Sequence, residues 1–493
     1  MQVKHKDLYT YDLQQFKVKI THGTCPLLTA AINRCMFNIK RLQKLIKKGA
    51  NNSEIKTGNT KIKGPIQKLQ VALTNECEEY PQLGMEEAYT LTVSAKSRLK
   101  SASIWGIIRG LETFSQLFFL AADYRQICVY KTDIHDYPRY LHRGLLIDTS
   151  RHYLSLPYIF LTIKALAINK MNVFHWHMKN DQSLPYQRKV SPKLNQKGAF
   201  NSSSVYTNKD ILNVIKYARE RGVRVIPEYV PSHAHSWSHA YPNITAECNR
   251  ENQSNITSGT MNPINDTTYK LIGRLFHKVQ TLFKDKHFHL GGAEIDFPCW
   301  ESNPIINKYL KDNNLKSRDL LAKFYLNISS LLRNDTAPIV WQDVFDNGVP
   351  LNLDTIVHVW KDDTKDMLRP MLQGYQVLYS SKWYLNKSND FDDFYRTDLR
   401  KMITNITNKA WITKLVIGGE ACMWREKVDD KHLMTQVWPR TCAVAERLWS
   451  NVESHKLSIV PAGVKYRLND HVCHMIRRGI PLNPLEGYGT CLR

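Results

Sequence analysis

From about residue 139 onward, eight short apolar runs alternate with turns and amphipathic stretches. The runs fall at 144–148, 173–178, 223–229, 288–294, 339–344, 356–360, 377–385 and 415–424. Stripes of helical period follow several of them, at 157–168, 209–221, 269–283 and 319–332. Eight strands in such alternation predict a (β/α)8 TIM barrel, whose right-handed crossovers put all eight strand C-terminal ends on one face. The competing arrangement is a doubly wound open sheet, but no Gly-x-Gly-x-x-Gly turn follows the first run to support it.

A chain of 493 residues has room for such a barrel and a smaller companion. The companion is read over 1–137, with strands at Leu69–Leu73 and Tyr89–Val93 and a helix across Ile104–Phe118. The barrel and a C-terminal helical extension take 138–493. The fold class is thus α/β, a barrel preceded by a smaller α/β domain. Within the first part, Lys40 to Lys48 carries Leu42, Leu45 and Ile46 at helical spacing, which predicts an amphipathic helix with a basic outer face. The polar stretch from Gly49 to Gly64 reads as a loop.

Chemistry-bearing residues collect at the predicted strand ends, where barrel enzymes place their sites. Arg151 follows the first strand. His175, His177, Asn180 and Asp181 follow the second, Glu228 and His233 the third. The fourth ends in His289-Leu-Gly-Gly-Ala293-Glu294, where a Gly-Gly pair permits close backbone approach and Glu294 is offered as an acid. Trp341, Trp360, Trp383-Tyr384 and Trp424 with Glu426 close the circuit. Aromatic rings from separate strands suit the apolar face of a pyranose, and Arg and carboxylates suit its hydroxyls. For any single Trp, filling of the barrel rim is the competing reading. His175 and His177 share a strand face, but a zinc site needs a third ligand and no spacing supplies one, so no metal and no cofactor is assigned.

The net charge of +23 has two readings: attraction to polyanions such as sulfated glycans, or a lysine-rich solvated surface. No nucleic-acid partner is assigned. No apolar run reaches the roughly 20 residues needed to span a bilayer. The first residues, Met1-Gln-Val-Lys-His-Lys, lack a signal peptide's apolar core. Frequent Asn-x-Ser/Thr sequons, at Asn51, Asn243, Asn255, Asn265, Asn327, Asn334 and Asn405 among others, point the other way, to a secretory route.

The 289–294 segment, with its continuation Ile295-Asp296-Phe-Pro-Cys299-Trp-Glu-Ser-Asn-Pro304, resembles the β-N-acetylhexosaminidases of glycoside hydrolase family 20. Their motif is His-x-Gly-Gly-Asp-Glu, and the family's Asp falls on Ala293. The resemblance covers nearly the whole chain. It implies a general acid at Glu294, a ligand for the sugar 3- and 4-hydroxyls at Arg151, and an aromatic cage around the N-acetyl group at Trp341, Trp360 and Trp424. It further implies a donor to the acetamido carbonyl at Tyr384 and a holder of outer hydroxyls at Glu426. In this family the substrate's own acetamido oxygen attacks the anomeric carbon, helped by the missing Asp. Asn180, Asp181 and His233 match the groups that tune the acid, with an amide at 180 where the family has a carboxylate. Asn386 and Lys387 resemble the α-type chain that accepts 6-sulfated sugars.

The resemblance also implies disulfides Cys25–Cys77, Cys248–Cys299 and Cys473–Cys491, with Cys35, Cys128, Cys422 and Cys442 as thiols. It implies a lysosomal or secreted protein whose leader precedes this sequence, and a homo- or heterodimer acting on GlcNAc- or GalNAc-terminated glycans, including sulfated ones. Two functions are expected: a hydrolase impaired by Ala293 and Asn180, or an inactive carbohydrate-binding relative. A third is a basic polyanion binder that uses the barrel as scaffold.

Overall fold

The computed structural model describes residues 2–46, 62–121, 126–179, 181, 183, 185, 199–201, 203–229, 234–238, 240–248, 257–361, 364–387, 390–425, 428–450, 460, 462–482 and 491. Its first part is a mixed sheet of β1 (Gln2–Tyr11), β2 (Lys17–His22), β3 (Ile62–Pro65), β4 (Lys68–Leu73), β5 (Tyr89–Val93), β6 (Lys96–Ser101), β7 (Phe119–Leu120) and β8 (Ile127–Asp136). The order is β2-β4-β6-β5-β8-β1-β3, with β7 paired to β8. β4 and β5 alternate inward and outward, so Leu69, Val71 and Leu73 and then Tyr89, Leu91 and Val93 face one core. Helices Pro26–Gln43 and Ile104–Gln116 cover it. Ser103 caps the second by accepting from Trp105 N–H.

Of the expected basic amphipathic helix, only the part to Gln43 is helical among the described residues, as the end of helix Pro26–Gln43: Leu42 is buried there, while Leu45 and Ile46 lie in the turn that follows and pack on the same core. Of the expected loop 49–64, residues 62–64 instead belong to β3, paired parallel to β1, and 49–61 lie outside the described residues.

The second part is a closed parallel barrel. Its strands are β9 (His142–Asp148), β10 (Val173–His177), β11 (Arg224–Glu228), β14 (His287–His289), β15 (Ala337–Trp341), β16 (Ile356–Val359), β17 (Gln376–Tyr379) and β18 (Val416–Met423). A small antiparallel pair, β12 (Thr245–Cys248) and β13 (Thr257–Met261), sits between the third and fourth barrel strands. All eight expected strands are present. The fourth ends at His289, so Glu294 stands on the following turn and not on the strand itself.

Alternation within the strands stacks the barrel interior in layers. Val173, Ile226, Ile339, Ile356, Leu378 and Ile417 form an apolar layer. Two residues further along four of these strands come His175, Glu228, Trp341 and His358. Gly144 makes room at this level, because a Cβ there would lie 2.5 Å from Glu420 Oε1.

A buried carboxylate is among the groups that join the two parts. Glu87 accepts from Arg109 Nε at 2.8 Å and from Arg143, on barrel strand β9, at 2.6 Å. Disulfides Cys25–Cys77, Cys248–Cys299 and Cys473–Cys491 are formed, and the remaining four cysteines are buried thiols. No helix among the described residues is long and apolar enough to cross a membrane.

Candidate active site

At the C-terminal mouth of the barrel, Trp341, Tyr384, Leu146 and Cys422 form a buried cluster, with Ala293, Trp360 and Trp424 packed against it. The rings of Trp341 and Trp424 are 6.0 Å apart, those of Trp360 and Tyr384 6.4 Å, and those of Tyr384 and Trp424 6.4 Å. Four aromatic residues from four strand ends thus line one cup. Trp341 is almost wholly buried, while Trp360 and Trp424 are half-buried and leave faces toward the opening.

Two carboxylates orient these walls. Trp341 Nε1 donates to Glu228 Oε1 at 2.7 Å, and Trp360 Nε1 donates to Asp343 Oδ2 at 2.7 Å. Arg151 Nη1 donates to Asp148 Oδ2 at 2.8 Å, and its guanidinium carbon sits 5.2 Å from the Trp424 ring centre. Burial pushes the Asp148 carboxyl up, but the charges of His177 and Arg151 and a Ser150 donor outweigh it and hold it below the ordinary range.

Beneath the cup lies a buried ionic layer that the sequence reading had not assembled. Glu228 accepts from His177 Nδ1 at 2.6 Å and faces His175 Nε2 at 3.2 Å. Glu420 pairs with His142 Nε2 at 2.6 Å and His175 Nδ1 at 2.8 Å. His175 therefore has a carboxylate at each nitrogen. Burial alone would lower its pKa, but Glu420 and Glu228 raise it to about 9, making it an imidazolium.

The third histidine that no spacing supplied is brought in by folding. Nitrogens of His175, His289 and His358 lie within 4.8 Å of one another. Their hydrogen bonds nonetheless argue against a metal. Gly291 N–H donates to His289 Nδ1 at 3.0 Å, which leaves the proton of a neutral His289 on Nε2, facing His358 Nδ1 at 3.3 Å. A metal at that nitrogen would require an imidazolate. Burial holds His289 near pKa 3 and His358 well below its usual value, so both are neutral. Cys248 and Cys299, beside Asp296, are joined in a disulfide and do not ligate. Cys422, near His358 and Glu420, is held protonated by burial.

The turn after β14 is built on left-handed backbone: Gly291 at φ 65°, Gly292 at φ 99° and Glu294 at φ 52°. Glycine is required at 292, since a Cβ would lie 2.2 Å from Tyr325 Oη and 2.4 Å from Val344 Cγ2. Glu294 takes the same sign of φ with a full side chain, a strained position typical of functional turns. It is exposed, while Ala293 faces the aromatic cluster. Asp296 is committed elsewhere: its carboxylate accepts from Cys299 N–H at 3.2 Å and caps helix Phe297–Ser302.

The glycosyl hydrolase family 20 catalytic-domain profile matches residues 140–452. The chain belongs to glycosyl hydrolase family 20. A second profile, "beta-acetyl hexosaminidase like", matches residues 2–117. The chain is 40% identical to the β-hexosaminidase subunit beta of Felis catus over 94% of its own length and 87% of that protein. It is also 40% identical to subunit alpha of Mus musculus, over 84% and 80% respectively. Among solved structures it resembles a Flavobacterium johnsoniae chitobiase with TM-score 0.82 and 28% identity, covering 97% of this chain and 72% of that one. The molecule is thus a hexosaminidase-type glycoside hydrolase, with a glycan as the substrate class.

For this family member, the structure brings together Arg151, Trp341, Trp360, Tyr384 and Trp424, with Ala293 beside them. Lys387 is exposed, with its Nζ 5.4 Å from the Tyr384 ring centre, and Asn386 is exposed next to it. Asp181 accepts from His235 N–H at 3.0 Å. Asn180, His233 and Glu426 lie outside the described residues. Sequence reasoning passed over His142, Glu420, His289 and His358 as a set. Their only trace in the chain is polar residues at inward positions of otherwise apolar strands. It also passed over Lys179, which is buried with its Nζ 5.1 Å from the Trp237 ring; burial brings its pKa down to about 7.

Proposed function

We propose that this chain is a β-N-acetylhexosaminidase-type hydrolase whose substrate-assisted chemistry is impaired at position 293. Glu294 is the proton donor to the glycosidic oxygen of a terminal GlcNAc or GalNAc, and the sugar's acetamido oxygen closes onto the anomeric carbon. Arg151 holds ring hydroxyls, and Trp341, Trp360, Trp424 and Tyr384 enclose the acetamido group. The observation that carries this reading is Ala293 packed on the Trp341–Tyr384 cluster, with its neighbour Asp296 spent on a helix cap. A methyl there neither orients the acetamido group nor stabilises charge on its nitrogen. Losing such a partner costs about 10²–10³ in rate, roughly 3–4 kcal/mol. Asn180 adds to the deficit by weakening the charge network around Glu294.

The aromatic cup and the Arg151–Asp148 pair also support a second reading, a carbohydrate-binding protein without turnover. Turnover of an aryl N-acetylglucosaminide by wild type and Ala293→Asp tests the first reading. The variant is expected to be faster by about 10²–10³, and equal rates overturn the assignment of Ala293. Binding of a thiazoline mimic of the cyclised intermediate to wild type supports the cup in both readings, and absence of binding removes both. Three disulfides support a lysosomal or secreted location. A homo- or heterodimeric assembly, and a domain boundary at 137/138, complete the proposal.

A further inference from the structure

On the side where the N-terminal helices meet the barrel helices, two adjoining cavities carry an excess of cations. One, about 180 Å³, is lined by Arg34, Lys164, Arg221 and Arg478 around the apolar side chains of Ile108 and Leu111. The other adds Arg41, Lys44 and Arg477 and shares Arg478. Seven Arg and Lys side chains thus line the joined space, and Glu112 is the one acidic residue among the lining residues.

Local partners offset only part of this charge. Arg478 pairs with Glu112 and donates to Ser115 Oγ at 2.8 Å. Glu220 serves both Arg34, at 3.9 Å, and Arg221, at 3.8 Å. Lys164 and Arg41 converge on one neutral acceptor, the carbonyl of Arg478, with Arg41 Nη1 at 3.4 Å. A Cβ on Gly479 would lie 3.7 Å from Arg41 Nη2 and 3.9 Å from Lys164 Nζ, so the two cationic heads flank the same point. Arg477 Nε is buried without a hydrogen-bond partner among the described residues. Burial first, and then the charges of Arg41, Arg221 and Arg478, depress the Lys164 pKa. Like charges held this close in a partly enclosed space destabilise the fold unless an anion sits between them.

We infer that this cleft is a binding site for a tetrahedral oxyanion, sulfate or phosphate, either free or as the ester group of a sugar. Guanidinium forks from Arg41 and Arg477 and the Lys164 ammonium suit such a group, and the apolar walls suit the body of an ester. The site lies between the two parts of the chain and is separate from the aromatic cup. Occupancy therefore ties the parts together and adds to thermal stability.

Isothermal titration and thermal unfolding at constant ionic strength, with chloride replaced by sulfate or phosphate, test this. Wild type is expected to bind the oxyanion and to unfold at a higher temperature than in chloride. The double variant Arg41→Met with Lys164→Met is expected to weaken binding at least tenfold and to lose the excess shift. Lys323→Met, the same kind of charge loss on a distant exposed helix position, is expected to keep both. N-acetylglucosamine 6-sulfate against inorganic sulfate separates the sources: tighter binding of the ester assigns a glycan ligand, and equal binding the free ion. A shift in sulfate matched by chloride, or one retained by the double variant, overturns the site. So does a double variant that merely loses stability equally in every anion, because its cations then act only as helix caps.

Discussion

Trp341 and Glu228 are joined by an indole N–H bond of 2.7 Å, which fastens a wall of the aromatic cup to the ionic layer beneath it. The same carboxylate accepts from His177 at 2.6 Å, so cup geometry and buried charge are not independent. Substituting Trp341 by Phe removes the donor and leaves a buried carboxylate oxygen one bond short. The expected loss is about 1–3 kcal/mol in urea unfolding, with weaker thiazoline binding. Glu228→Gln is expected to cost more, about 3–5 kcal/mol, because it breaks a buried charged pair from one side. A smaller loss for Glu228→Gln than for Trp341→Phe would show the layer to be inessential.

His175 gives a pH dependence of known sign. Its folded pKa of about 9 exceeds the unfolded value, so its contribution is fully present below about pH 6.5 and is lost as pH rises through 9. The contribution is on the order of 3 kcal/mol. Unfolding free energies of wild type and His175→Gln, measured from pH 6 to 10, should converge toward the alkaline end; a constant gap contradicts the imidazolium assignment.

Lys179 acts in the opposite direction. Its pKa of about 7 in the fold lies below the unfolded value near 10.5, so the unfolded chain binds the extra proton between them and stability rises with pH across that window. Lys179→Met is therefore expected to raise the melting temperature most below pH 7 and progressively less toward pH 10. Because the two windows overlap, each residue is read as the difference between wild type and its own variant.

Gly292 is the tightest point of the turn that carries Glu294. At φ 99° with Tyr325 Oη and Val344 Cγ2 in the way, Gly292→Ala combines backbone strain and overpacking. About 2–4 kcal/mol of stability is expected to be lost. Turnover should fall too, even in the Ala293→Asp background. An alanine variant of wild-type stability would mean that the turn relaxes freely.

Lys387, exposed beside Tyr384, is the candidate contact for a 6-sulfate. In the Ala293→Asp background, Lys387→Leu is expected to lower kcat/KM for a 6-sulfated aryl substrate relative to the neutral one by about tenfold, as one lost charge-assisted contact does. An unchanged ratio removes Lys387 from the site.

Much of this molecule was legible from one dimension. The barrel strands are uniform apolar runs because both of their faces are buried, and the intervening helices carry one-sided stripes, so element type and order follow from local pattern. The identities at the strand ends then nominated Arg151, Trp341, Trp360, Tyr384 and Trp424, since a barrel collects those ends on one face. Position 293 was singled out by the motif it interrupts, because the resembling family's Asp falls on Ala293, next in the chain to Glu294. What pattern could not reveal is which inward residues meet across the barrel. His142, His175, Glu228, His289, His358 and Glu420 come from six different strands, and their pairing depends on strand stagger and on the space left by Gly144. The cation-lined cleft has the same origin, since Arg41, Lys164 and Arg478 lie more than a hundred residues apart in sequence. Local periodicity records which face a residue turns to the core. Only closure of the barrel and docking of the first domain determine the partner that residue finds there.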